Sequence, residues 1–303
     1  MDDGVAERLE VSMRAVRRHA RIDNIGAANS TVEAVRRYYR WNHPFYRLLH
    51  SRDGAMHLSL SGEFAAHAEF ISKYVSHIGA PRVLELACGT GYNLGELATR
   101  RPSADLHGID LSRLHVMSAR LGMSRAANVR VRVGDYHRLP YADGSFDVVF
   151  VIEGICHARD LHASLAEARR VLAPDGVLLV FDLFHTDDAD RLDPRVRQSA
   201  MIVERALLIS SILCERRWLD VALAAGLEHL HTQDLSAEVT PQLRVLNTLA
   251  WRFVRGRRAG PWARRFLPAT IRQNAAAGLL LHLTVEAGAH AYLMIALRPA
   301  AAP

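Results

Sequence analysis

In the stretch VLELACGTGYN, Glu85 is followed at even spacing by Ala87, Gly89 and Gly91. An apolar run of buried-strand type leads into it, and a helical pattern follows from about residue 93. Glycines between a strand and a helix let the backbone turn tightly and approach a ligand at the carboxyl edge of a sheet. A carboxylate inside that strand repels a pyrophosphate but suits a cationic ligand. Two further acids close apolar runs, Asp110 in HGID and Asp135 in VRVRVGD, with Leu111 and Tyr136 directly after them. After FDVVFV comes IEGICHARD, which puts Glu153 and His157 where an open parallel sheet faces its ligand. A carboxylate and an imidazole there can take a proton or stabilise positive charge. Cys156 between them reads as a small buried filler.

Other chemistries are removed by what is missing. A dinucleotide fingerprint needs its third glycine at position 94, which is leucine. Gly95 gives the looser spacing of short-chain reductases, but their Tyr-x-x-x-Lys pair cannot form, because the only lysine, Lys73, has Glu69 four places before it. The same scarcity removes a P-loop lysine. Cys88, Cys156 and Cys214 lie too far apart for a zinc motif and are odd in number, so the sequence offers no metal-ligand set and suits a reducing cytoplasm. Asp2, Asp3, Glu7 and Glu10 precede any apolar run, which argues against a signal peptide. The net charge of +6 is spread among charges of both signs and reads as a solvated surface.

These residues need elements to position them. The 303-residue chain is half hydrophobic, enough for one large domain with an embedded lid. Helices are expected at 5–21 and after a capping-box pattern at Ser30 and Glu33. From about residue 81, short apolar runs alternate with helical patterns, as in a parallel sheet with crossover helices. Strands are expected at RVLELA, DLHGID, VRVRVGD, FDVVFVI and VLLVFDL, with helices near 93–100, 112–126 and 161–172, the last ended by Pro174 and Gly176. Beyond 185 come a long helical stretch near 194–225, a strand at LEHLHTQDLS, an insertion of lid type and a final strand at HAYLMIALR. The longest apolar tract is broken by His282, Glu286, Gly288 and His290, so no transmembrane segment is expected.

Over roughly residues 35–185 the motifs, in order, resemble those of class I S-adenosylmethionine-dependent methyltransferases. Their first motif, acid-x-Gly-x-Gly-x-Gly, is met by Glu85, Ala87, Gly89 and Gly91, departing at Ala87. The resemblance implies an α/β, Rossmann-like, seven-stranded, mostly parallel sheet with an N-terminal helical cover and a C-terminal helical lid insertion. Its divisions are a cover over 1–75, a cofactor-binding core over 76–190, a lid over 191–288 with one core strand near 227–236, and a final strand and tail over 289–303. It further implies that Asp110 holds the ribose hydroxyls and Leu111 flanks the adenine, while Asp135 faces the adenine amino group and Tyr136 packs on the ring.

IEGICHARD is similar, at Glu153, Cys156, His157 and Ala158, to the Glu-Ala-Thr-Cys-His-Ala-Pro segment of sterol C-methyltransferases, departing at Gly154, Ile155 and Arg159, and RRYYRW…AMHLS resembles the paired tyrosines and His turn found ahead of the core in small-molecule methyltransferases. Tyr38, Tyr39 and Met56-His57 are the matching positions, with Tyr39 expected at the cofactor; aromatic faces attract a sulfonium or a carbocation by about 0.5–2 kcal/mol per contact. The expected function is carbon methylation of a lipophilic isoprenoid alkene (terpenoid, sterol-like or prenyl diphosphate), with Glu153 as first and His157 as second candidate for the base. The alternatives are N- or O-methylation of a small natural product with His157 as base, and a non-catalytic cofactor-binding scaffold. Magnesium would enter only with a diphosphate, held by Arg252, Arg255, Arg257, Arg258, Arg264 and Arg265 with Asp187, Asp188 and Asp190. The motifs of nucleic-acid methyltransferases are missing, so no nucleic-acid partner is expected; a homo-oligomer is left open.

Overall fold

The computed structural model describes residues 3–20, 33, 37–38, 51, 54–209, 212–256 and 269–301. Helix α1 (Asp3–Ala20) is amphipathic: Val5, Leu9, Met13 and Val16 fall on one face and are buried, each contributing about 1.5–3 kcal/mol. Helix α2 (Ala66–Tyr74) leads to β1 (Arg82–Leu86), and α3 (Tyr92–Arg100) carries the chain to β2 (Asp105–Asp110). Next come α4 (Arg113–Gly122), β3 (Val129–Val133), β4 (Phe146–Ile152), α5 (Leu161–Val171) and β5 (Leu172–His185). Ser112 caps α4 and Asp160 caps α5, each accepting a backbone N–H of the first turn. The remainder is α6 (Pro194–Ala206), α7 (Glu215–Ala224), β6 (Leu227–Asp234), α8 (Ser236–Arg255), α9 (Ala269–Glu286) and β7 (His290–Pro299).

The seven strands form one sheet in the order β3-β2-β1-β4-β5-β7-β6. All pairs from β3 to β5 are parallel, and β7 runs antiparallel to both its neighbours. The fold class is therefore the expected mostly parallel α/β sheet. Chain order reverses between β1 and β4, which opens a crevice at their carboxyl ends. Helix α9 is apolar nearly all round, with Leu279, Leu280 and Leu283 buried, because α1, α6 and α8 pack around it. No helix among the described residues is long and apolar enough to cross a membrane.

Two expected elements differ. The helical stretch near 194–225 is two helices, because the chain leaves α6 at Leu208, whose φ is +57°. Helix α5 ends at Val171 without help from Pro174 or Gly176, which lie inside β5. There the β4–β5 register slips between Phe146↔Leu172 and Val148↔Val177, and a bulge tolerates a residue without an N–H. The Ser30–Glu33 capping pattern, Tyr39, Arg257, Arg258, Arg264 and Arg265 were expected to take part but, apart from the backbone at Glu33, lie outside the described residues.

Candidate active site

The loop after β1 turns by repeated left-handed residues: Ala87 at φ +53°, Gly89 at +52° and Gly91 at +77°. The left-handed angle at Gly91 favours glycine, and a Cβ there would also crowd Ala119 on α4 at 3.2 Å and displace the end of the Met123 side chain. The Gly89 N–H donates to Asp110 Oδ2 at 2.9 Å, and the Ser112 N–H donates to Asp110 Oδ1 at 2.7 Å. Asp110 is thereby fixed at the end of β2, facing the loop.

This loop floors a cleft of about 1100 Å³, open mouth included. Glu85, Ala87, Gly89, Asp110, Leu111, Tyr136, Glu153 and His157 all line it. Glu85 is buried, and its Oε1 accepts from Asn93 Nδ2 at 3.0 Å. Glu85 Oε2 and Asn93 Oδ1 are both buried and lack a partner among the described residues. Burial pushes the Glu85 carboxyl up to about 8, and the Asn93 hydrogen bond offsets only part of that. Two orphaned acceptors on a cleft wall are the complement of a multi-donor cation such as an ammonium group, so the residues present fit S-adenosylmethionine.

Asp135 is placed otherwise than expected. It is not among the cleft-lining residues, because its carboxylate is already engaged: His137 Nδ1 lies 2.6 Å from Oδ1 and Arg159 Nη2 2.9 Å from Oδ2. Burial raises this carboxyl, yet His137 and Arg159 together hold it below the usual range. In its stead His137 and Arg159 line the cleft, and the Tyr136 hydroxyl donates to the Gly154 carbonyl at 3.1 Å.

A second cavity of about 1450 Å³, also counting its mouth, lies between the sheet and helices α8 and α9. Leu183, Leu243, Leu246, Phe253 and Leu281 give it an apolar wall. Met56, Glu153 and His157 line both cavities, so the two share a boundary at the end of β4. Tyr38 lines the second cavity, where its hydroxyl donates to Asn274 Oδ1; His57 lines the first.

Glu153 adopts φ +49°, a conformation that costs a non-glycine residue about 1–3 kcal/mol and that packing must maintain. The Glu153 N–H donates to Phe181 O at 2.8 Å, while its Oε1 accepts from the Leu58 N–H at 2.7 Å and the Tyr292 hydroxyl at 3.0 Å. Although the residue borders both cavities, protein surrounds the carboxyl, and burial pushes it up to about 8. Asp182 on β5, accepting from the Cys156 and Leu183 N–H groups, is raised by burial to about 6. Burial lowers His157, whose Nδ1 pairs with Leu208 O at 3.1 Å. A neutral ring that donates from Nδ1 keeps its lone pair at Nε2.

Asn93, Asp182 and Tyr292 were not legible as site residues. Asn93 carries a faint signal, a polar side chain in the first turn after the glycines; Asp182 and Tyr292 sit in strands that read only as core. Asp187 and Asp188 are exposed and line neither cavity, Asp188 pairing with Arg191 at 3.2 Å; Arg252 and Arg255 line neither as well.

Residues 84–180 match the family described as a methyltransferase domain. Sterol 24-C-methyltransferase ERG6B of Gibberella zeae is 28% identical over 182 residues, which cover 59% of this chain and 48% of that protein. The chain thus spans about half the length of the curated relatives it matches. Among solved structures, the [4+2]-cyclase SpnF superposes with a TM-score of 0.68 at 19% identity, covering 88% of this chain and 96% of that one. Geranyl diphosphate C-methyltransferase from Streptomyces coelicolor gives 0.64 at 16% identity, with 90% and 99% covered. At such identities these two speak for the fold alone. Residues 84–180 thus carry a methyltransferase domain, and the fold around it is shared with these solved structures.

Proposed function

We propose that this protein transfers a methyl group from S-adenosylmethionine to a carbon of a lipophilic small molecule, most simply an isoprenoid alkene. The observation that carries this reading is the meeting of a polar, cation-suited cleft with an apolar cavity at Met56, Glu153 and His157. Bound in the cleft, S-adenosylmethionine supplies a methyl group on a positively charged sulfur. Glu85 and Asn93 would take its ammonium group, and Asp110 its ribose hydroxyls. The apolar wall excludes water and holds an alkene against the boundary, so that positioning supplies much of the rate. Glu153 then receives the proton that a methylated carbon must lose: the residue borders both cavities, and positive charge arriving beside it favours the ionised form that burial disfavours. Tyr292 and the Leu58 N–H keep that carboxyl aimed.

Among the described residues the apolar cavity is lined by Glu153 and Asp182 but by no arginine or lysine. A second reading, N- or O-methylation, is favoured by His157 alone, whose Nε2 lone pair can take a proton from a hydroxyl or amine at the same boundary.

Methyl-labelled S-adenosylmethionine supplied with a panel of terpenes, sterols, prenyl diphosphates, phenols and amines tests both. The label on carbon supports the first reading, and the label on oxygen or nitrogen moves the assignment to the second. Retention of the cofactor with no transfer to any member would make the protein a binding scaffold.

A further inference from the structure

Outside the lining of both cavities, His185 at the end of β5 stands opposite His290 at the start of β7 as a cross-strand pair. Glu204 of α6 reaches the same point. One ligand atom from each residue lies within 4.8 Å of the others. His185 Nε2 is 2.9 Å and His290 Nε2 3.3 Å from the same Glu204 oxygen, Oε1.

Three ligand atoms converging on one point call for a positive centre there, a proton or a metal ion. His290 is fully buried, and its Nδ1 lies 2.9 Å from Thr284 Oγ1, which also reaches Leu281 O at 2.8 Å. With that hydroxyl accepting, Nδ1 carries the hydrogen of a neutral ring and Nε2 turns a lone pair toward Glu204. An imidazole whose far N–H is held by a fixed acceptor is the arrangement that orients metal-ligating histidines.

We propose that His185, Glu204 and His290 form a metal site for a divalent ion of the zinc class. Two imidazole nitrogens and one carboxylate oxygen suit zinc, with water as a fourth ligand reaching the partly exposed His185 side. Neighbouring ligands on a tetrahedral ion with bonds of about 2.0–2.1 Å lie about 3.3 Å apart. The separations of 2.9 and 3.3 Å are close to that spacing.

The ion acts as a brace. Just past Glu204 helix α6 ends at Ala206, and two residues on the Leu208 carbonyl holds His157, while the Ile209 N–H closes back on the Glu204 carbonyl at 2.9 Å. Leu207 and Ile209 belong to the apolar wall. Pinning Glu204 to β5 and β7 thus fixes one side of the apolar cavity and the histidine at its boundary without touching the reacting groups.

The whole chain, stripped with a chelator and dialysed, is titrated with zinc chloride by calorimetry and with cobalt chloride by visible absorption. The expected result is one equivalent of zinc, a four-coordinate cobalt spectrum, and a melting temperature raised by zinc. His185→Ala, a change at the partly exposed member, weakens zinc binding at least about tenfold, and Thr284→Val, which keeps all three ligands, weakens it by roughly 10- to 100-fold. Absence of one-equivalent uptake by folded wild-type protein overturns the site, as does equal affinity in His185→Ala or Thr284→Val. A melting temperature that responds to pH but not to zinc assigns the positive centre to a proton and overturns it too.

Discussion

A Cβ placed on Gly154 would lie 2.8 Å from the Cβ of Ala87, closer than two such atoms approach in real proteins. The loop after β1 and the loop after β4 therefore share one side-chain position between them. Both are sites at which the chain departs from the motifs it resembles, alanine replacing glycine in the first and glycine replacing alanine in the second. The departures compensate each other across the crevice. Gly154→Ala alone is expected to destabilise the protein by roughly 1–3 kcal/mol through overpacking. The double change Ala87→Gly with Gly154→Ala is expected to recover most of that loss, and also removes an alanine held at φ +53°. Urea unfolding of the two single variants and the double variant measures the coupling; additive effects would contradict the shared position.

Glu153→Gln keeps the hydrogen-bonding shape of the side chain but cannot accept a proton. Under the carbon-methylation reading it lowers kcat by about 10²–10⁴-fold, while uptake of the demethylated cofactor, followed by calorimetry, persists. Retention of most of the turnover would favour His157 as the base.

The pH profile follows from the same residue. Since burial pushes Glu153 up to about 8, the ionised base is the minor form at neutral pH in the empty protein. The rate constant kcat/KM should rise with pH and level off above about 8, the limb shifting lower with the cationic cofactor in place. Its measurement in Glu153→Asp, where a carboxylate persists, should retain a rising limb that Glu153→Gln lacks.

Glu85→Gln removes the charge from the cleft wall and leaves the Asn93 contact able to form. Affinity for S-adenosylmethionine should fall roughly 10- to 100-fold, a loss of about 1.4–2.8 kcal/mol. Calorimetric titration of wild type and variant checks it, and equal affinities would remove Glu85 from the cofactor site.

Glu85 and Glu153 are raised to about 8 in the folded chain, above the ordinary carboxylate range they regain on unfolding. Between about pH 4.5 and 8 the unfolded state releases these protons while the folded state keeps them, so stability falls as pH rises. The loss is complete only above about 8, each carboxyl contributing on the order of 1.4 kcal/mol per pH unit across the window. Melting temperatures of the ligand-free protein across that range should decline accordingly, and Glu85→Gln should flatten the decline.

Strand positions and the glycine turn were legible because they are local. Apolar runs such as FDVVFVI and the glycines after RVLELA carry their meaning within a few residues, and the sheet bears out the strand at every expected place. Less local features escaped. Nothing near Leu208 announces the left-handed residue that divides the 194–225 stretch, and Pro174 reads as a helix stop until the β4–β5 register makes it part of a bulge. Asp135 reads as a free acid; only folding brings Arg159, from the loop after β4, onto it.

By itself the sequence determined the alternation of strand and helix, the acid-and-glycine turn at the first strand end, and the presence of Glu153 and His157 at the fourth. Hydrophobic periodicity and glycine act over one or two turns of chain, so they survive being read in one dimension. Which acid stays orphaned, which is neutralised, and what aims Glu153 were decided by tertiary structure. Tyr292 lies 139 residues from Glu153 and His290 lies 86 from Glu204, and each pair meets only because β7 inserts antiparallel beside β5. Desolvation and hydrogen bonding depend on neighbours in space, and those neighbours exist only once the last strand has closed the sheet.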